Sequence, residues 1–422
     1  MPVGVRAAAG CSKPKAATLE SLSWRRNQVA VTLVAFVGFT SFTLVMPFLA
    51  LYVRELGVTS DADVALWTGA ALGITPLITA LCSPLWGRVG DRYGNKLLVQ
   101  RSLVSFVAVM VAMAYVTKPW QLVALRGIQG LVAGYGGLTV AMAARSAPRD
   151  RMPHAIGMVQ TAQRIGPAVG PVAGGILGPL VGLRVTFLVS AAVYAVAFVL
   201  LTVLYREPKS GLGQARRPDM LVAFRNILEF ENFLLLMAVI FGLQLVDRSF
   251  GPVLPLHLDQ IGYQKVSLLA GILFSVLAIA GALGHQLAAV LLRRMSARMV
   301  IAVAALAGAG AFAVFSASTA MWALAPSMAV AGLSLGTAMT AAFSAAGSVI
   351  PVDAHGASFG FLTSASLIGS SVSPVLSGLA GVRSFRIVFV GGAIVLAVLA
   401  LAVQRVMVDR DLQIESTPVE EG

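Results

Sequence analysis

Long apolar runs alternate with short polar segments along this chain, and that rhythm predicts its elements. Twelve runs stand out, near residues 29–51, 66–86, 97–117, 121–143, 155–178, 184–204, 233–256, 266–291, 299–318, 322–347, 357–380 and 386–404. A helix needs about 20 apolar residues to cross the hydrocarbon core of a bilayer. The runs are therefore read as twelve transmembrane helices, spans 1 to 12, of an all-α polytopic membrane protein. The longest polar connector, REPKSGLGQARRPDMLVAFRNILEFEN at 206–232, parts them six and six. The expected organisation is an N-terminal tail at 1–28, a six-helix bundle at 29–205, a central linker at 206–232, a second six-helix bundle at 233–404 and a C-terminal tail at 405–422. Within the linker, MLVAFRNILEF reads equally as an amphipathic surface helix and as ordinary connector.

The two halves repeat one another. PFLALYVRELG at 47–57 and PVLPLHLDQIG at 252–262 share P-x-L-x-L-x5-G at an offset of 205. WQLVALRGIQGLVAG from Trp120 matches WALAPSMAVAGLSLG from Trp322 at an offset of 202. GMVQTAQRIGPAVGPVAGG from Gly157 faces GFLTSASLIGSSVSPVLSG from Gly360 at an offset of 203. Three segments matching in order at nearly one offset indicate duplication of a six-helix unit in parallel topology. Such a duplication places a substrate cavity between the halves at mid-membrane.

Composition agrees. Of 422 residues, 58% are hydrophobic and 12% charged, against about 25% charged in soluble domains. Mean hydropathy is +0.85. The net charge of +13 does not form a nucleic-acid footprint, because the cations sit in short loops between apolar runs. With the N-terminus inside, inner segments carry 21 of the 31 Lys and Arg and outer loops six. That bias places both termini in the cytoplasm, in a multi-pass protein of the cell membrane. The five tryptophans fall at or near run ends, as an aromatic belt requires. The N-terminus lacks the cleavage site and short apolar core of a signal peptide. Cys11 and Cys82 supply no disulfide framework, and no metal-binding spacing or cofactor motif appears.

Four constellations carry candidate chemistry. The segment after span 2, GRVGDRYGNKLL at 87–98, reads as a Gly-punctuated turn (Gly87, Gly90, Gly94) with one acid, Asp91, among Arg88, Arg92 and Lys96. Here the chain resembles the major facilitator superfamily, whose signature is G-x-L-A-D-R-x-G-R-K; Val89, Gly90 and Asn95 depart from it. The resemblance implies a cytoplasmic latch in which Asp91 meets the positive end of span 11 near Gly356, with Arg145 as a salt-bridge partner. In span 4, Arg126 and Gln129 lie three residues apart on one helix face, followed by Gly130. An arginine this close to the outer end can snorkel to the interface. The R-x-x-Q-G spacing, however, is similar to the family's span-4 motif, whose arginine faces the interior and takes part in proton coupling. The duplicate half has Met328 and Ala331 there.

In span 5, Gly157, Gly166, Gly170-Pro171 and Gly174-Gly175 match G-x8-G-x3-GP-x2-GG at every defined position. This is the family's antiporter signature, associated with exporters that exchange substrate for protons. Ala162, Gly166, Gly170 and Gly174 recur every fourth residue and line one face without bulk, so a partner helix can approach closely. Pro167 and Pro171 are expected to kink or stiffen the span. Arg164 lies too deep to snorkel and is expected to face the cavity or a carboxylate. In span 7, Asp247 is the acid placed inside a span. It reads as a proton site with Arg248, Arg126 and Arg164 as counter-charges, or as a structural ion pair.

The resemblance covers Arg25 to about Arg405. It implies a twelve-helix proton-coupled exporter of a small amphipathic or drug-like compound, working by alternating access as a monomer. Importing a sugar or metabolite is the alternative. A membrane-embedded enzyme has only Asp353 and His355 in its favour, and no catalytic set appears. The expected partners are a small molecule, protons and the lipid bilayer.

Overall fold

The structure is a computed structural model that describes residues 14–148, 151–207, 232–349 and 355–407. Its helices form the twelve spans the apolar runs predict. Span 1 comprises Pro14–Leu44, a 3-10 turn at Met46–Phe48 and Leu49–Glu55. Span 2 is Asp61–Tyr93, span 3 Asn95–Ala114, span 4 Pro119–Leu131 with Tyr135–Ser146, span 5 Met152–Val181 and span 6 Leu183–Leu204. In the second bundle, span 7 is Phe233–Asp247 with Phe250–Gln260, span 8 Val266–Leu291 and span 9 Ala297–Ala317. Span 10 is Met321–Val349, span 11 His355–Gly381 and span 12 Phe385–Val406. Among the described residues, eleven helices are long and apolar enough to cross a membrane. Span 5 is not among them. It has 30 residues, but its glycines, prolines and Arg164 dilute its apolarity.

Packing repeats with the sequence. Span 1 packs on spans 5 and 6, span 2 on span 4, and span 3 on span 6. Six spans later the same set recurs as 7 on 11 and 12, 8 on 10 and 9 on 12. The bundles meet through spans 2 and 11 and through spans 5 and 8. An even number of spans puts both described ends of the chain at one end of the molecule, the tail end. The other is the far end.

Two boundaries differ from the sequence expectation. The first helix starts at Pro14 rather than near 29, because AATLESLSWRR is rich in strong helix formers and continues the span without a breaker. The segment 87–98 is not a Gly-punctuated loop. Span 2 stays helical through Gly87, Gly90, Asp91 and Arg92 to Tyr93, and Gly94 alone turns the chain, at φ +90°. That backbone conformation favours glycine. Gly87 and Gly90 therefore act as helix residues.

Among the described residues, three spans are interrupted. Spans 1 and 7 break at corresponding places, Val45–Phe48 and Arg248–Ser249. Span 4 breaks at Val132–Gly134, with Gly134 at φ +120°, whereas its duplicate, span 10, is continuous. Broken helices at matching positions mark the binding region in folds built from repeats.

Candidate functional site

A cavity of about 280 Å³ lies between the bundles, walled by spans 1, 5, 7, 8 and 10. The breaks in spans 1 and 7 open onto it through Thr43, Met46, Asp247, Arg248 and Gly251. Asp247 ends the first helix of span 7, and its carboxylate pairs with Arg248 Nε at 3.1 Å. Arg248 is thus the counter-charge, and neither Arg126 nor Arg164 pairs with Asp247. Arg164 faces the cavity without a carboxylate, and no described residue gives it a hydrogen bond or ion pair. The site also holds His285 of span 8, which no sequence motif singles out. Its Nδ1 lies 2.6 Å from Thr340 Oγ1 of span 10. The signal available in sequence was an imidazole beside Gln286 in a largely apolar run, GALGHQLAAV.

Arg126 does not line the cavity. Its side chain is 1% exposed, packed 5.9 Å from the Phe42 ring, and donates to Gln129 Oε1 at 3.2 Å. It is buried in protein and does not snorkel. Its Nε and Nη2 are buried without a partner. An unsatisfied buried guanidinium is costly. Gly130, three residues beyond Gly127, lets span 2 close in: a Cβ there would come within 2.5 Å of the Thr75 carbonyl oxygen.

Span 5 is one unbroken helix, with Pro167 and Pro171 inside it. Its small-residue face packs on span 1. A Cβ on Gly166 would come within 2.9 Å of the Phe36 carbonyl oxygen, and one on Gly170 within 2.5 Å of the Thr40 carbonyl oxygen. Gly174 approaches the Leu44 carbonyl closer still. The duplicate repeats this pairing. Gly369 packs within 2.5 Å of the Phe241 carbonyl oxygen by the same measure, and Ser373, the counterpart of Gly170, donates its hydroxyl to the Leu245 carbonyl. Gly175 faces the other bundle, within 2.6 Å of the Ser267 carbonyl oxygen. Its counterpart Gly378 stands within 2.6 Å of the Ala65 carbonyl oxygen, while Gly271 meets the Pro171 carbonyl and Gly69 the Pro374 carbonyl. The far-end contact between bundles is therefore two-fold in its pairs. Gly157 differs from its motif partners. Nothing lies within 4 Å of a Cβ built there, and it borders an open groove with Thr32, Phe36, Met158 and Thr161.

Arg54 and Asp259 complete the far end. They occupy equivalent positions in the two halves, at the offset of 205, and join the bundles by a 2.6 Å ion pair. Arg54 also pairs with Asp61 of span 2.

The break in span 4 is held by donors the sequence reading did not connect. Ser102 Oγ and Arg101 Nη2 bond to the Val132 carbonyl at 2.8 and 2.9 Å, and Trp86 Nε1 to the Leu131 carbonyl at 2.7 Å. The Arg101 guanidinium stacks 3.5 Å over the Trp86 ring. Lys96 is also tied within its own bundle, donating to the Tyr205 carbonyl at 2.7 Å at the end of span 6. Glu207 accepts from the Asn95 N–H at 2.9 Å in return, a carboxylate at one helix start and an ammonium at another helix end. The side chains of Asp91 and Arg92, the contact near Gly356, the side chain of His355, Asp353 and the segment MLVAFRNILEF lie outside the described residues. Arg145 is exposed at the tail end of span 4.

Comparison with known proteins gives one family. The Major Facilitator Superfamily profile matches residues 31–374. The chain is 28% identical over 269 residues to the multidrug resistance protein MdtG of Escherichia fergusonii, covering 63% of this chain and 65% of that protein. It is 30% identical over 264 residues to MdtG of Serratia proteamaculans, covering 61% and 64%. The matched region thus spans just under two thirds of those relatives' length. The crystal structure of a D-xylose–proton symporter superimposes with a TM-score of 0.75 at 13% identity, covering 92% of this chain and 98% of that one. That of a bacterial homolog of the human lysosomal transporter Spinster gives 0.73 at 16%, covering 93% and 97%. At such identities the superpositions speak for the fold alone. With twelve spans in two pseudo-symmetric bundles and a profile match over most of its length, the chain is a multi-pass membrane protein that belongs to the major facilitator superfamily.

Proposed function

We propose that the protein is a proton-coupled secondary exporter of small amphipathic, drug-like compounds, working as a single chain by alternating access. The observation that carries this reading is the cavity between the bundles. It is closed at the far end by glycine contacts and the Arg54–Asp259 pair, and Asp247, Arg248 and Arg164 converge in it beside the broken spans 1 and 7. The name of the MdtG relatives and the complete span-5 glycine pattern support the direction of export. The cation bias supports a cytoplasmic tail end.

In this mechanism the substrate enters from the tail end among Leu243, Phe274, Leu277 and Met339. The Asp247–Arg248 pair is the polar contact that substrate or proton can split. A proton on Asp247 releases Arg248, so the charge presented to the cavity changes without any backbone movement. Gly166, Gly170 and Gly174 let span 5 move with span 1 as one wall. Pro171 and Gly175 form the contact that must part for the far end to open. Asp91, with Gly87, Gly90, Arg92 and Gly94, closes the tail end in the opposite state, and Lys96 steadies span 3 against span 6. Arg126, with Gln129 and Gly130, supports coupling from behind the cavity wall.

The test is expression in an efflux-deficient bacterium against a broad compound panel, followed by uptake into inverted vesicles. Accumulation driven by a pH gradient, abolished by a protonophore and lowered at least tenfold by Asp247→Asn, is the expected result. Uptake in the opposite direction in counterflow would replace export by metabolite import.

A further inference from the structure

The cavity holds four ionisable side chains: Arg164 on one bundle, and Asp247, Arg248 and His285 on the other. Spans 1 and 10 contribute Thr43, Met46, Leu335 and Met339 to its wall and no charged group. Asp247 and Arg248 cancel each other as a contact pair. Arginines stay protonated at any working pH. The remaining balance is Arg164, unpaired, and His285, whose side chain ordinarily changes charge near neutral pH. Arg164 and His285 line the same cavity from opposite bundles.

We propose that His285 is a protonation site whose positive charge, opposed by Arg164, holds the tail end of the two bundles apart. The geometry sets the direction. Spans 5 and 8 touch at Pro171, Gly175, Ser267 and Gly271 on the far side. Arg164 and His285 both lie on the tail side of that contact, since span 5 runs from tail to far end and span 8 returns. Like charges there favour a state in which the tail ends of the two bundles stand apart. Loss of the proton removes the repulsion and permits the tail end to close. Thr340 suits both states, because a hydroxyl can donate to a bare imidazole nitrogen or accept from a protonated one. Within the export reading, on which this assignment rests, a proton captured at the far side drives the empty carrier back to the tail-open state. Release of that proton at the tail end leaves a neutral ring ready for substrate.

The experiment places nitroxide labels at His154→Cys and Arg294→Cys, near the tail ends of spans 5 and 8, in a Cys11→Ser/Cys82→Ser background in lipid nanodiscs. Inter-label distance distributions are recorded from pH 5 to 9 without substrate. The expected result is a long-distance population at acid pH that gives way to a short one with a single transition. His285→Gln removes the transition and keeps the short population throughout. Arg164→Gln, which leaves the imidazole in place, moves the transition to higher pH by about one unit. A transition unchanged in His285→Gln, one unmoved by Arg164→Gln, or none at all overturns the assignment. The expected transition in a protein that shows no gradient-driven transport keeps the site and removes the antiport reading. Gradient-driven export undiminished in His285→Gln removes the site alone.

Discussion

At the scale of single residues, the span-5 signature is six positions with unequal duties. Gly170 packs against the Thr40 carbonyl, where even one methyl group meets backbone. Gly157 faces open space. Gly170→Ala is expected to lower transport at least tenfold with normal membrane insertion. Gly157→Ala is expected to stay within twofold of the parent, both read in the same vesicle assay. The four-residue spacing of Ala162, Gly166, Gly170 and Gly174 already announced a face without bulk. It could not name span 1 as the partner, since a glycine pattern carries no record of what approaches it. Arg126 was similarly legible as an anomaly, while the choice between snorkelling and burial depended on whether Phe42 and Gln129 stood around it.

At the scale of elements, the break in span 4 is the feature least visible beforehand. Val132–Gly134 lies inside a single apolar run, and only Arg101, Ser102 and Trp86 arriving from spans 3 and 2 make the freed carbonyls tolerable in a membrane. Arg101→Gln is expected to destabilise the purified protein by about 1–3 kcal/mol, read as a lower thermal unfolding midpoint. Arg101→Lys, which keeps a donor and the charge but not the planar stack on Trp86, is expected to fall between. An unchanged midpoint in both would mean that Ser102 and Trp86 suffice. The breaks in spans 1 and 7 were better marked, because both carry a proline at equivalent places, Pro47 and Pro252.

At the scale of the molecule, the far-end closure joins residues related by the internal repeat. Arg54 and Asp259 descend from one ancestral position, and their opposite charges make the pair self-complementary across the pseudo-two-fold axis. Both side chains are partly exposed, so the pair is worth about 0–1 kcal/mol. Arg54→Ala is therefore expected to raise the far-open population by up to about fivefold, the ratio that the upper end of that range sets, measured by labelling of a cysteine placed in the far-end contact. The exchange Arg54→Asp with Asp259→Arg is expected to restore closure; failure of the exchange would assign the effect to the Arg54–Asp61 pair instead. High salt should mimic Arg54→Ala, since exposed charges are screened.

By itself the sequence determined twelve spans, their division six and six and the repeat that relates them, because crossing lipid demands long apolar runs that composition cannot disguise. It also singled out Asp247, Arg164 and Arg126, because ionisable groups are conspicuous in such runs. Only the tertiary structure decided which of these meet. Asp247 and Arg164 share a cavity with His285, Arg126 stands behind its wall, and Lys96 caps a helix of its own bundle. Those outcomes depend on how helices from two bundles rotate and cross, and close packing across a pseudo-symmetric interface settles that through contacts distant in the chain.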